Sequence, residues 1–487
     1  MKRSNIIFIT LCLILVSCTS KPDPDTALIE TIENNLLPSI LVEGEVVDGF
    51  SILERMEYYH VPGVSIAFLN GGEIVWAKGY GYTSRDSTRP ADELTLFQAA
   101  SISKPVAAMA ALALVEEGKI GLDEDVNLYL NGWQIEENVH TANEKATLRR
   151  LLSHSAGLTV HGFGGYAYDD EVPSTVQVLE GAEPANSGRI YPDTIPGSQY
   201  SYSGGGYTVM QKMLTDVSGK DFPELIKEFV LSRIGMESST YQQPLPEELH
   251  ENAAAGHYAS GEMIEGRFHT YPEMAAAGLW TTPTDLLRYA IEVQQSYAGE
   301  SNLILSREMT HKMLTPQMNY HGLGPATGGS GELITFSHGG SNAGFRCSLY
   351  AFTKTGQGVA IMTNGDLGGQ LMSEIFRSFS MVYDWEKYKP SIKSIVPLSE
   401  HELNRLAGQY RLSYQGQDLI AEITVLENHL QGVQLWNDFP FKMYPESKSR
   451  FFNKDDGSEF EFSMDEEGAV TGITIYEGSQ EYFFTKI

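Results

Sequence analysis

The sequence predicts an α+β chain. One antiparallel sheet is built from both ends of a large body, a helical lobe lies between those ends, and a small all-β domain follows. Three observations carry this expectation. An early pair of β-rich runs, 64–69 and 73–77, flanks Asn70-Gly71-Gly72. A late pair, 345–352 and 359–363, flanks Thr353-Lys354-Thr355-Gly356. Glycine-bearing turns between such runs signal hairpins, and hairpins from opposite ends of a segment can share one sheet. From residue 397 onward the pattern changes to short alternating runs such as 419–425 and 459–463, punctuated by Gly468, Gly472 and Gly478. That spacing reads as an all-β domain over 397–487.

In chain order, the first element is a targeting segment. Lys2 and Arg3 precede an apolar run over 6–16, too short for a permanent transmembrane helix. It ends at Leu15-Val16-Ser17-Cys18, which resembles a bacterial lipobox. Residues 1–17 are then the leader, and lipid on Cys18 anchors the chain to a membrane without spanning it. The expected location is the bacterial cell envelope. The polar, proline-rich stretch 19–25 reads as a tether, within a leading segment over 18–44. The main body is 45–388, and Lys389-Pro390-Ser391-Ile392-Lys393 reads as a linker. Between 120 and 300 the body shows helical patches and long polar loops.

Composition narrows the function. At 487 residues and 42 % hydrophobic, the chain can bury a sizeable core. Its net charge of −29 argues against a nucleic-acid partner, which needs a basic surface. Cys12 lies in the leader and Cys18 at the anchor, so Cys347 alone remains in the body and no internal disulfide forms. Cys347 reads as a small buried residue. No Cys/His cluster has metal-ligand spacing; His250-Glu251 lacks the second histidine of a zinc helix. No metal or other cofactor is expected.

The chemistry starts at Ser101-Ile102-Ser103-Lys104, ahead of the alanine-rich run 107–114. A serine hydroxyl needs a neighbouring base to act as a nucleophile. A lysine three residues on lies one helical turn away on the same face. Pro105 is tolerable in a first turn. A helix over 101–117 therefore puts Ser101 at its N-terminus, where free N–H groups favour negative charge. Alone, the four-residue pattern is expected about once by chance in a chain this long.

Four further segments give it company: 151–158 with Ser153-His154-Ser155, 196–207 with Tyr200-Ser201-Tyr202-Ser203-Gly204, 277–286, and Ser337-His338-Gly339-Gly340-Ser341. Together, and in this order over roughly 45–385, they resemble the serine β-lactamase and penicillin-binding protein family. The similar branch holds class C β-lactamases, DD-peptidases and esterases. The resemblance implies a β-lactamase/transpeptidase-like fold and acyl-enzyme chemistry on an amide (a D-amino-acid peptide or β-lactam) or an ester. It implies Ser101 as nucleophile, Lys104 and Tyr202 as proton carriers, and the N–H groups of Ser101 and Ser341 as the oxyanion hole. His338, Gly339 and Gly340 would be the substrate-binding third motif, with substrate along the strand edge. A small-molecule or peptide substrate is the implied partner.

One position departs from the pattern. Gly204 stands where the second motif usually carries asparagine, which argues against efficient β-lactam hydrolysis and leaves another amide or an ester. The competing function is a penicillin-binding-like receptor that binds muropeptides without turnover. Lys354-Thr355-Gly356 spells a literal third motif but falls in the turn of the late hairpin, so it is read as turn chemistry. His154 is expected to hold a loop, and Asp285 to be a first-turn helix carboxylate. There is no Gly-x-Ser-x-Gly elbow for a Ser-His-Asp alternative.

Overall fold

The computed structural model describes residues 24–487 except 415–416, 437–438 and 478–479. The leader, Cys18 and Gly478 lie outside the described residues. No helix among the described residues is long and apolar enough to cross a membrane.

The early hairpin is β1 (Gly63–Asn70) and β2 (Glu73–Gly81). Gly71 and Gly72 both take positive φ (62° and 84°), the conformation a two-residue hairpin turn requires. The later strands are β3 (Ala326–Gly328), β4 (Thr335–Asn342), β5 (Phe345–Phe352) and β6 (Gly358–Thr363). All six form one antiparallel sheet in the order β2-β1-β6-β5-β4-β3. The two chain ends thus meet where β1 pairs with β6. The segment around His338, expected beside the sheet, is itself the strand β4. The short strand β3 pairs with β4 over 335–337 and leaves 338–342 without a strand on that side among the described residues.

Both faces of the sheet are covered, which explains why β1 and β6 read as continuous apolar runs. Helices α1 (Pro24–Glu33), α2 (Ile52–Tyr58), α3 (Ser103–Glu116), α4 (Gly204–Ser218), α5 (Pro283–Ala298) and α6 (Gly368–Tyr383) supply the cover. Ala67, Leu69, Leu349, Ala360 and Met362 face the helical lobe with α3, α4 and α5. Val64, Ile66, Phe68, Val359 and Ile361 face the layer of α2 and α6. This alternation is the period of two that a strand imposes. The second layer also holds a buried ion pair: Arg55 Nε donates to Glu374 at 2.7 Å, and Tyr59 Oη donates to the same carboxylate at 2.7 Å.

The leading segment and the linker are more ordered than their composition suggests. Residues Ile40–Val42 and Ser391–Lys393 pair as a parallel two-stranded ribbon. After α7 (Glu400–Leu406), eight antiparallel strands from Gly408–Tyr414 to Gln480–Lys486 close into a barrel around Phe441, Phe451, Phe460, Phe462 and Phe484. Gly472, expected in a turn, lies inside a strand, where an added Cβ would sit 2.5 Å from the Phe483 ring. The barrel docks through its 453–457 loop. Ser39 N donates to Asp455 O at 3.1 Å, and Arg377 on α6 donates to Leu37 O at 2.6 Å and Asp455 O at 3.3 Å.

Candidate active site

Ser101 stands one step outside the expected helix. It occupies a 3-10 turn, Ala100–Ile102, and α3 begins at Ser103 with Pro105 in its first turn. Ala100 has φ +48°, a left-handed conformation that a non-glycine residue adopts at a cost of about 1–2 kcal/mol. The surroundings hold that strain in place. Ala99 N donates to Leu279 O at 2.8 Å, Ser103 Oγ donates to Ala100 O at 2.5 Å, and Cys347 Sγ donates to Ala99 O at 2.9 Å. Cys347 is buried as expected, and burial pushes its thiol well above the usual range.

Lys104 is buried at 2 % exposure, directly behind the serine. Its Nζ lies 3.0 Å from Ser101 Oγ and donates to Ala276 O at 2.8 Å. The ring of Tyr202 lies 4.9 Å away, face-on. No carboxylate among the described residues partners the ammonium, and burial lowers its pKa to about 7. Burial raises the pKa of the Tyr202 hydroxyl to about 12, with the neighbouring Ser101 side chain opposing the rise. Serine, lysine and tyrosine therefore lie together, with the lysine able to hold or release a proton at neutral pH.

The third motif arrives on β4. A Cβ on Gly340 would sit 2.2 Å from Ala99 O and 2.4 Å from Cys347 Sγ, so only glycine lets this strand press against the Ser101 turn. Gly339 has open space on its side, with nothing closer than 3.9 Å. Ser101, Tyr202, His338, Gly339, Gly340 and Ser341 line one open groove. The structure thus brings all the sequence-expected body residues together. Lys354-Thr355-Gly356 lies instead at the β5–β6 turn, where Gly356 O accepts from Gly72 N at 3.0 Å and Lys354 pairs with Glu332.

The space vacated at Gly204 has an occupant. Gly204 is the first residue of α4, capped by the Ser203 side chain, and a Cβ on it would sit 2.9 Å from the Phe163 ring. Gly204 N and Gly205 N donate to His161 O and Val160 O. An apolar ring over the helix start replaces an amide, and the lysine is held by Ala276 O. His154 does hold a loop: its Nδ1 accepts from Ser203 N at 3.1 Å and its carbonyl from Ser201 N at 2.8 Å. Its ring also packs 4.2 Å from the Tyr202 ring, so it orients the tyrosine. Asp285 accepts from Ser238 N and Ser239 Oγ in the first turn of α5, a structural role.

Sequence reasoning missed three contributors. Ala276 acts only through its carbonyl, which no residue type announces. Phe163 lies in a glycine-rich loop with no spacing to a motif. His321 lines the groove between Tyr202 and β3, yet follows Asn319-Tyr320 in what reads as ordinary turn sequence.

Residues 52–377, more than half of the chain, match the family described as Beta-lactamase. The chain belongs to the beta-lactamase family. It is a serine hydrolase of the β-lactamase/DD-peptidase type, with a small-molecule or peptide substrate. A penicillin-binding protein of Bacillus subtilis (strain 168) is 22 % identical over 462 residues, covering 88 % of this chain and 96 % of the relative. Among solved structures, an octameric penicillin-binding protein homologue from Pyrococcus abyssi shares the fold with a TM-score of 0.61 at 22 % identity, over 89 % of this chain and 98 % of the other. A D-amino acid amidase from Ochrobactrum anthropi SV3 matches with a TM-score of 0.56 at 20 % identity, over 74 % and 98 %.

Proposed function

We propose that the chain is a membrane-anchored hydrolase that forms an acyl-enzyme at Ser101 on an amide or ester substrate. The carrying observation is the approach of Lys104 Nζ to Ser101 Oγ at 3.0 Å in a buried setting that lowers the amine to about pKa 7. In the neutral amine one N–H bonds Ala276 O and the lone pair faces the serine. Oγ attacks the carbonyl carbon as its proton passes to Lys104. The N–H groups of Ser101 and Ser341 receive the oxyanion. Tyr202, which lines the groove beside Ser101, relays the proton to the departing group. Water then cleaves the acyl ester, returning a proton to Oγ.

A fluorescent fluorophosphonate tests this. It should label the wild type and not Ser101→Ala; absence of labelling in both would sink the enzyme reading. Phe163 in the place of the motif asparagine favours a non-β-lactam amide or an ester over a β-lactam. The alternative, a receptor or inactive muropeptide-binding protein, predicts no Ser101-dependent labelling and no turnover, and the complete Ser101-Lys104-Tyr202 cluster argues against it.

The anchor is lipid on Cys18, at the bacterial cell envelope, supported by the short apolar leader ending at Leu15-Val16-Ser17-Cys18. Mass spectrometry of the N-terminal peptide from bacterially expressed full chain should find diacylglyceryl mass on Cys18. A mature N-terminus elsewhere would overturn it.

A further inference from the structure

The groove beside Ser101 has an electrostatic character of its own. Two imidazoles, His321 and His338, line it, and no lysine or arginine among the described residues does. His338 Nδ1 lies 2.6 Å from Gly339 O, so the ring proton sits on Nδ1 and donates there. Nε2 then carries the lone pair, and it is buried without a hydrogen-bond partner. An acceptor left unpaired in such a place costs free energy unless a ligand supplies a donor. Burial and the nearby Lys104 push the His338 pKa down to about 3, so the ring is neutral at physiological pH.

His321 faces it across the groove, with ring centroids 6.4 Å apart. It is held there at some cost. Asn319 and Tyr320 have φ of +47° and +59°, and His321 N closes the turn on Met318 O at 2.9 Å. Asparagine tolerates this region, but for tyrosine it is strained, and such strain gathers at functional sites. The His321 ring lies 5.1 Å from Tyr200 and 5.2 Å from His154, and its Nδ1 is a second buried atom without a partner. Burial takes its pKa down to about 4.

The cations around the groove are committed elsewhere. Lys104 sits behind the serine. Arg346, opposite Ser341 on β5, pairs with Asp366 at 3.0 Å and donates to Asn342 O and Phe345 O. The net charge of −29 adds a long-range field that repels anions. Tyr202, the proton relay to the departing group, has its ring 6.4 Å from His338. The leaving group therefore departs on the His338 side of the serine.

Building on the acyl-enzyme reading above, we propose that the leaving group is uncharged and ends in a hydrogen-bond donor, a primary amide or hydroxyl accepted by His338 Nε2 with His321 closing the other side. A leaving group ending in a free carboxylate would meet a lone pair and no compensating cation. This assigns His321 and His338 as joint determinants of specificity.

The test uses two thioesters of N-benzoylglycine, one releasing mercaptoacetamide and the other mercaptoacetate. The acyl group is identical, and the different basicity of the two leaving thiolates is removed by dividing each kcat/KM by the rate of hydroxide cleavage of the same thioester. In each, the serine–acyl bond forms as C–S breaks, and the Oγ proton ends on sulfur. With full-length protein, kcat/KM by thiol release should favour the amide at least tenfold. His338→Lys should cut that preference at least tenfold by raising the carboxylate arm. His321→Phe, which keeps a ring but no polar atom, should lower the amide-over-carboxylate ratio at least threefold. Ser101-dependent turnover with the carboxylate equal or faster in wild type would overturn this inference while leaving the acyl-enzyme reading intact. Absence of Ser101-dependent turnover of both thioesters would overturn the acyl-enzyme reading and this inference with it.

Discussion

Lys104 makes the sharpest prediction, because its environment sets a titration that kinetics can read. The amine is buried, unpaired with any carboxylate among the described residues, and held between Ser101 Oγ and Ala276 O. Burial favours the neutral form and brings the pKa from 10.5 to about 7. In the proposed mechanism the neutral amine accepts the serine proton, so acylation should track its fraction. About half is neutral at pH 7 and roughly one in a hundred at pH 5, which predicts a fall of about fifty-fold across those two units. Above pH 8 the rate should plateau until Tyr202, at about 12, begins to titrate. The assay is the second-order rate of Ser101 labelling by a fluorophosphonate in stopped flow from pH 5 to 9. Lys104→Arg keeps a charge it cannot shed and should lose about 10²–10⁴ in rate, with the inflection gone. A wild-type rate that is flat from pH 5 to 8, or an inflection retained in Lys104→Arg, would refute the assignment.

Other substitutions probe the scaffold. Gly340→Ala places a Cβ 2.2 Å from Ala99 O and should cost about 1–3 kcal/mol in urea unfolding, with slower labelling because β4 is pushed from the Ser101 turn. Gly204→Asn should destabilise against the Phe163 ring, while Gly204→Asn with Phe163→Ala should recover stability; a double-mutant cycle with no coupling would show that Phe163 is not the obstacle. Arg55→Met strands the buried Glu374 carboxylate and should cost about 3–5 kcal/mol in urea unfolding, while the folded protein labels at the wild-type rate.

The sequence by itself carried the features that depend on local periodicity and turn chemistry. The hairpins at Gly71-Gly72 and at 353–357 are legible because glycine turns and alternation are short-range signals, and the Ser101–Lys104 relation is legible because helical pitch is fixed. The order of the motifs then implied a serine hydrolase, and the family match bears that out. Tertiary structure decided what no local signal encodes. It put Ser101 in a 3-10 turn ahead of the helix, since Leu279, Cys347 and Gly340 hold Ala99 and Ala100 from outside that segment. It made 391–393 a strand because residues 40–42 lie beside it, and composition alone reads such a segment as a linker. It filled the gap at Gly204 with Phe163, and it brought His321 across from His338 through a turn more than a hundred residues past Tyr202. A backbone carbonyl, a packed ring and a neutral imidazole take their meaning from what surrounds them, and those surroundings form only when the chain closes on itself.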